Sequence, residues 1–213
     1  MTARWPSRRI IGIDVAEPYI RYARSRSTAP MLSFEVGEAA HLPFGPGVFS
    51  GAAAQLVLNF IPNAEAAVRE MRRVTRRRGR VVAGVWDFRG GLVYQRIFWD
   101  TAAGLDPGAG HARDRLFSAP LAAPGGLAKL FADAGFVDVE SVSITIRMDY
   151  QKFEDYWQPL LGGQGPVGAY VAELPSDLRA RIKDAVRRAY CAGSPDGERS
   201  LCATAWAVRG SVP

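Results

Sequence analysis

Asp14 closes the apolar run Ile10-Ile11-Gly12-Ile13 and stands just ahead of Glu17-Pro18. A run of that length reads as a buried parallel strand, and a proline near a helix start reads as its first turn. An acid at the carboxyl end of such a strand is placed to accept hydrogen bonds from the hydroxyls of a nucleoside ribose. It is equally placed to cap the helix that follows, and the residue alone leaves both open. Glu38 lies in Gly37-Glu38-Ala39 after a second apolar run, and Gln55 follows a third. By themselves these are a loop acid and a strand-end amide. The two histidines are His41 and His111. His41 reads as loop structure beside Glu38, whereas His111, in a Gly104–Arg115 loop, could face an acceptor. Asp87, just past the strand end at Trp86, could point into a ligand crevice. Two histidines and two cysteines, Cys191 and Cys202, form no ligand-spaced cluster, so no metal is expected.

Seven arginines crowd the twelve positions from Arg69 to Arg80. One use for such a run is phosphate binding. The other is a solvated helix end, where the macrodipole favours cations. No aromatics interleave the arginines as a single-strand binder requires, which favours the helix end. The net charge of +6 is local: residues 1–100 carry 15 basic and 8 acidic side chains, residues 101–213 carry 12 and 13. No nucleic-acid partner is therefore expected. At 48% hydrophobic and 23% charged, the 213 residues have the composition of a single globular domain, 1–213, and not of a disordered chain. The uncharged stretch Phe49–Phe60 is too short and too polar to span a bilayer. The run after Arg4, Arg8 and Arg9 ends at Asp14 and so is no signal peptide. Two cysteines are too few for a disulfide framework. The expected setting is the cytoplasm, without membrane contact.

The elements that must position these residues alternate. Strands are expected at Ile10–Asp14, Met31–Val36, Phe49–Ala54 and Arg80–Trp86. Helices are expected from Glu17 and from Ala64 to about Arg77. In the second, Ala64, Ala67, Val68, Met71 and Val74 keep the 3.6-residue period, and Gly79 stands as the glycine just past the end. The later half predicts helices at Leu92–Ala103, Gly125–Ala134, Phe153–Leu161 and Ser176–Tyr190, the last capped by Ser176. Gly104–Gly110 reads as loop, and Val137–Met148 and Leu201–Val208 as strands. The alternation predicts an α/β fold, a Rossmann-like, mostly parallel sheet with helices on both faces. The aromatics from Tyr94 to Phe117, with Tyr156, Trp157 and Tyr170, either wall an apolar acceptor pocket or fill the core.

Gly12-Ile13-Asp14, Gly37–Phe44, Gln55–Phe60 and the helix, arginines, glycine and strand of Ala66–Val85 together resemble the class I S-adenosylmethionine-dependent methyltransferases. The resemblance runs from about Ile10 to Arg209 and is strongest to the small-molecule branch that includes ubiquinone and menaquinone biosynthesis enzymes. It implies S-adenosylmethionine as cofactor and a small molecule as methyl acceptor. It places Asp14 and Val15 at the ribose, Glu38 at the adenine amino group, the Ala39 N–H at the ring, and Gln55 beside the sulfonium. It implies no catalytic residue. Methyl transfer from a sulfonium is an in-line displacement on an activated carbon, which needs positioning and exclusion of water more than a base.

The chain departs from the family where the glycine-rich first motif belongs. No glycine precedes Gly12, and nothing in Met1–Arg9 matches the motif. The resemblance therefore implies an N-terminally incomplete fold that lacks its first strand–loop–helix unit. The absent strand would lie between those of Ile10 and Phe49. Either these two strands pair directly, or another chain fills the gap and makes a homo-oligomer. The alternative to an active enzyme is an inactive remnant that does not bind the cofactor unaided. A smaller departure is Arg76-Arg77-Arg78-Gly79, where relatives tend to carry Arg-Pro-Gly-Gly.

Overall fold

The computed structural model describes residues 9–163 and 165–213. Arg4 and Arg8 and the stretch compared with the glycine-rich motif lie outside the described residues, Arg9 excepted. Contacts gather the chain into two compact units. One holds the described residues up to Ala83 with Ala128–Glu140 and Val208–Pro213; the other holds Gly84–Leu127 and Ser141–Ala207.

The first unit begins with β1 (Ile10–Asp14), α1 (Glu17–Arg26) and β2 (Leu32–Val36). The two strands pair in parallel, Ile10 beside Leu32 and Asp14 beside Val36. Gly12 lies opposite Phe34, and a Cβ at Gly12 would come within 2.6 Å of the Phe34 ring. The missing side chain is what lets the ring lie over β1. Arg24 of α1 donates from Nε and Nη2 to the Phe34 carbonyl, at 2.9 and 2.6 Å, which latches the helix to β2.

Next come β3 (Phe49–Gln55), α2 (Ala64–Val74) and β4 (Thr75–Trp86). Asn63 caps α2 by accepting the Ala66 N–H at 2.9 Å. The apolar stripe buries Ala67, Val68, Met71 and Val74. There the helix stops, three residues short of the expected Arg77. Thr75 is already extended at φ −89° and ψ 130°, and its hydroxyl donates to the Met71 carbonyl at 2.7 Å. Thr75 is buried at the start of β4, and from Gly79 the period is 2, with Gly79, Val81, Ala83 and Val85 buried. Gly79 is therefore not a helix-terminating glycine but an inward position of β4. A Cβ there would sit 2.4 Å from Thr75 Cγ2 and 2.9 Å from the Ser50 carbonyl oxygen.

The remaining elements are α3 (Val93–Ala103), α4 (Pro107–Ser118), α5 (Gly126–Asp133), β5 (Val137–Tyr150), α6 (Phe153–Trp157), α7 (Gly165–Glu173), α8 (Ser176–Cys191) and β6 (Arg199–Ser211). Two differ from expectation outright. The Gly104–Gly110 segment is not all loop, because Asp106 caps α4 by accepting the Ala109 N–H at 3.0 Å, with Pro107 in the first turn. Ser176 is the first helical residue of α8 rather than its cap, a place taken by Pro175. α7 carried too little apolar periodicity to be expected.

Hydrogen bonds order the strands as a pair, β1-β2, and a four-stranded sheet, β3-β4-β6-β5. Bonds from Arg78 to Val212 and from Asp87 to Thr204 run β4 antiparallel to β6. Parallel pairing is thus seen in β1-β2 and antiparallel pairing in β4-β6. Among the described residues β1 and β3 do not pair, so the direct-pairing alternative is not adopted. The residues of β1 are each only partly buried, less than the expected buried strand.

In the second unit, Phe98, Trp99, Phe153, Tyr156, Trp157, Ile182 and Tyr190 form a largely aromatic core. Tyr156 and Trp157 are core residues rather than the wall of an acceptor pocket, and Tyr94, Phe117 and Tyr170 pack partly buried against that core. The Tyr170 hydroxyl donates to Asp106 Oδ2 at 2.6 Å, tying α7 to the cap of α4. Among the described residues no helix is long and apolar enough to cross a membrane.

Candidate functional site

Asp14 ends β1, half-buried, with its Oδ1 accepting the Ala16 N–H at 2.8 Å. The carboxylate thus does serve the turn into α1, as one of its two sequence readings held. One oxygen so engaged fixes the orientation of the group at the strand's carboxyl end. The Asp14 carbonyl accepts the Gly37 N–H at 3.0 Å. That bond sets the Glu38 loop directly beside Asp14. Val15 is 74% exposed and packs against little.

Glu38 and His41 face each other across their turn. The His41 N–H donates to the Glu38 carbonyl at 3.0 Å, and the Glu38 carboxylate lies 3.6 Å from His41 Nδ1. Both side chains are exposed. Ala39 is half-buried behind them.

A clamp on α2 holds this loop from below, and no sequence motif announced it. Glu70 Oε2 accepts the Leu42 N–H at 2.8 Å. Arg73 donates to the carbonyls of Phe44 and Leu42 at 2.7 and 3.1 Å, and to Glu70 itself at 2.7 Å. The Arg73 hydrogen bond holds the Glu70 carboxyl below the usual carboxylate range against the opposing effect of burial. The only hint in the sequence is a Glu and an Arg at i, i+3 on one helix face.

Gln55 ends β3 exposed, and Leu56 after it takes a left-handed φ of 58°. Among the described residues no hydrogen bond joins Gln55 to Asp14 or Glu38. The structure thus brings Asp14, Val15, Glu38 and Ala39 together on two bonded loops and leaves Gln55 on its own strand end.

The other candidates have local duties. Asp87 Oδ1 accepts the N–H groups of Arg89 and Gly90 at 3.0 and 3.1 Å, closing a turn. His111 is an exposed residue of helix α4, not of a loop. Among the described residues no three His, Cys, Asp or Glu side chains converge on a common point.

The donor set of the two loops suits a nucleoside. Ribose hydroxyls and an adenine amino group are donors, and the adjacent loops offer two carboxylates as acceptors and the Ala39 N–H for a ring nitrogen. Nothing comparable among the described residues suits the charged amino-acid end of S-adenosylmethionine, so the fit is to the nucleoside half.

Residues 1–83 match the family model of a methyltransferase domain. An uncharacterized 37.1 kDa protein in a transposon of Streptomyces fradiae is 36% identical over 85 residues, 38% of this chain. The chain spans only 25% of that relative's length. Among solved structures, the YcgJ protein of Bacillus subtilis is similar with a TM-score of 0.57 at 16% identity, covering 94% of this chain and 81% of that one. An S-adenosylmethionine-dependent methyltransferase of Thermotoga maritima is similar with a TM-score of 0.51 at 16% identity, covering 100% and 76%. These likenesses show the fold: an α/β methyltransferase fold with a mixed sheet and helices on both faces.

Proposed function

We propose that the chain takes part in S-adenosylmethionine-dependent transfer of a methyl group to a small-molecule acceptor, in the cytoplasm. The observation that carries this reading is the pairing of Asp14 and Glu38 on two loops bonded through Gly37, at the carboxyl ends of two parallel strands. This is where α/β sheets hold nucleosides. The methyltransferase-domain match over residues 1–83 covers the same segment.

In this reading Asp14, oriented by the Ala16 N–H, accepts hydrogen bonds from the ribose hydroxyls, with Val15 beside it. Glu38 accepts from the adenine amino group, and the Ala39 N–H donates to the ring. Gln55, at the end of β3, is assigned to the sulfonium side. The Glu70–Arg73 clamp keeps the Glu38 loop in place so that ordering it costs nothing on binding. The cofactor, when bound, supplies an already activated methyl group, so the chain contributes position and dryness rather than acid–base chemistry. An acceptor of the kind methylated in quinone biosynthesis fits the small-molecule branch that the sequence resembles.

Calorimetric titration with S-adenosylhomocysteine tests the assignment. Asp14→Ala is expected to weaken binding by about 1.5–3 kcal/mol, the scale of hydrogen bonds to a charged group. Equal affinity in variant and parent removes Asp14 from the site.

A further inference from the structure

The arginine run of residues 69–80 is not the helix end that its composition suggested. Arg69, Arg72 and Arg73 lie on α2, and each has a partner: Glu65, the Gly135 carbonyl, and Glu70 with the Leu42 and Phe44 carbonyls. Arg76, Arg77, Arg78 and Arg80 lie on β4, where no helix dipole accounts for them. All four are exposed. Among the described residues no carboxylate comes within ion-pair distance of Arg76, Arg77 or Arg78, whereas Arg96, Arg113, Arg147, Arg187 and Arg209 each have one.

The backbone is shaped to present them. From Gly79 to Val85 the strand alternates buried and exposed or half-exposed residues, but Arg76, Arg77 and Arg78 are exposed in succession. A regular strand turns successive side chains to opposite faces. The alternation breaks because β4 bulges. The Arg78 N–H donates to the Val212 carbonyl at 2.8 Å, and the Val212 N–H donates to the Gly79 carbonyl at 3.0 Å, so two residues of β4 oppose one beyond it. Arg78 takes a left-handed φ of 59° to do this, a conformation disfavoured for a residue with a Cβ. Bulges of this kind re-aim side chains. Beside them, Arg80 and Arg209 share a cleft of about 250 Å³ with Asp138 and Glu140, so Arg80 has carboxylates close by, and Arg76, Arg77 and Arg78 are set apart from the other unpaired arginines by standing next to one another in the chain.

We propose that Arg76, Arg77 and Arg78 form a docking surface for the phosphodiester backbone of a duplex nucleic acid, independent of base sequence. Guanidinium forks suit phosphate oxygens in a way that lysines do not. Three adjacent guanidinium forks offer one fork to each of about three phosphates along one strand of a duplex. The lack of aromatics around the run rules against stacking on unpaired bases and leaves the backbone as the feature recognised. The surface sits at the amino end of β4.

Anisotropy titration of a labelled duplex of about 20 base pairs over a range of sodium chloride concentrations tests this. Neutralising three phosphates predicts a slope of log affinity against log salt near −2.7, the same for two unrelated sequences. The variant Arg76→Ala/Arg77→Ala/Arg78→Gly, with glycine chosen to keep the bulge, is expected to bind about tenfold weaker or less tightly still at about 50 mM salt, with a slope below about 1 in magnitude. The variant Arg115→Ala/Arg181→Ala/Arg188→Ala removes the same charge elsewhere and is expected to keep most of the affinity. Circular dichroism of both variants shows whether they fold, and the slope of the parent stands whether or not they do. Equal weakening by both triple variants, or a parent slope below 1, overturns the proposal. So does binding to vesicles of phosphatidylcholine and phosphatidylserine, or to polyglutamate, without binding to the duplex.

Discussion

Gly12 and Asp14 act within one five-residue strand for different reasons. The glycine is steric: a methyl group there meets the Phe34 ring at 2.6 Å, well inside contact distance. Gly12→Ala is expected to destabilise the protein by about 1–3 kcal/mol, the usual cost of overpacking. Gly12→Ala/Phe34→Leu should recover part of that loss in the same urea unfolding experiment. If the double variant is as unstable as the sum of its single changes, the ring is not what excludes the methyl group. Asp14 was legible as a strand-end acid, and its helix-entry reading is the one seen, with the Ala16 N–H engaging Oδ1; its place at a ribose belongs to the proposed function. The place proposed for Gln55 comes from the resemblance alone, because spacing along the chain does not specify its neighbours.

Among the elements, α2 bears most directly on the site because it carries the clamp on the Leu42–Phe44 loop. Glu70→Gln removes the charge that Arg73 pairs with and is expected to loosen that loop, lowering the melting temperature and, under the proposed function, weakening cofactor binding together with it. The pH dependence has a definite sign. The Glu70 carboxyl is held below its ordinary value chiefly by the Arg73 hydrogen bond. The stability it contributes is therefore fully present above the ordinary glutamate pKa and is lost as pH falls through the lowered folded-state value. Thermal unfolding followed from neutral to acid pH should show the parent losing more stability across that window than Glu70→Gln. Parallel losses would mean that the pair contributes nothing to folding. The start of α2 was readable in the sequence and its end was not. Both Val74 and Arg77 fit a helix, and the choice went to the strand, whose inward positions from Thr75 onward are all small or β-branched. The Asp106-Pro107 start of α4 was readable by its chemistry, a cap followed by a first-turn proline, but two glycines in the next three residues masked it.

At the scale of the whole molecule, the alternation of strands and helices conveyed the fold class, and the order of the landmarks conveyed the methyltransferase likeness. What no periodicity conveys is which strands become neighbours. β1 pairs with β2, and β3 pairs with β4 at the end of the other sheet, so one side of each of β1 and β3 has no strand beside it among the described residues. β3 meets solvent with Ser50, Gly51, Ala53 and Gln55 exposed. It carries none of the charged residues, prolines or lysines that usually blunt an edge. Such an edge templates pairing with another chain, and we propose that a second copy is that partner. The mass measured by light scattering should then rise with concentration over an approximately hundredfold range, as mass action requires. Ala53→Lys places a charge on the edge and is expected to shift the protein toward monomer without changing its circular dichroism. A parent that stays monomeric throughout, or a variant that associates as strongly as the parent, removes β3 as the interface.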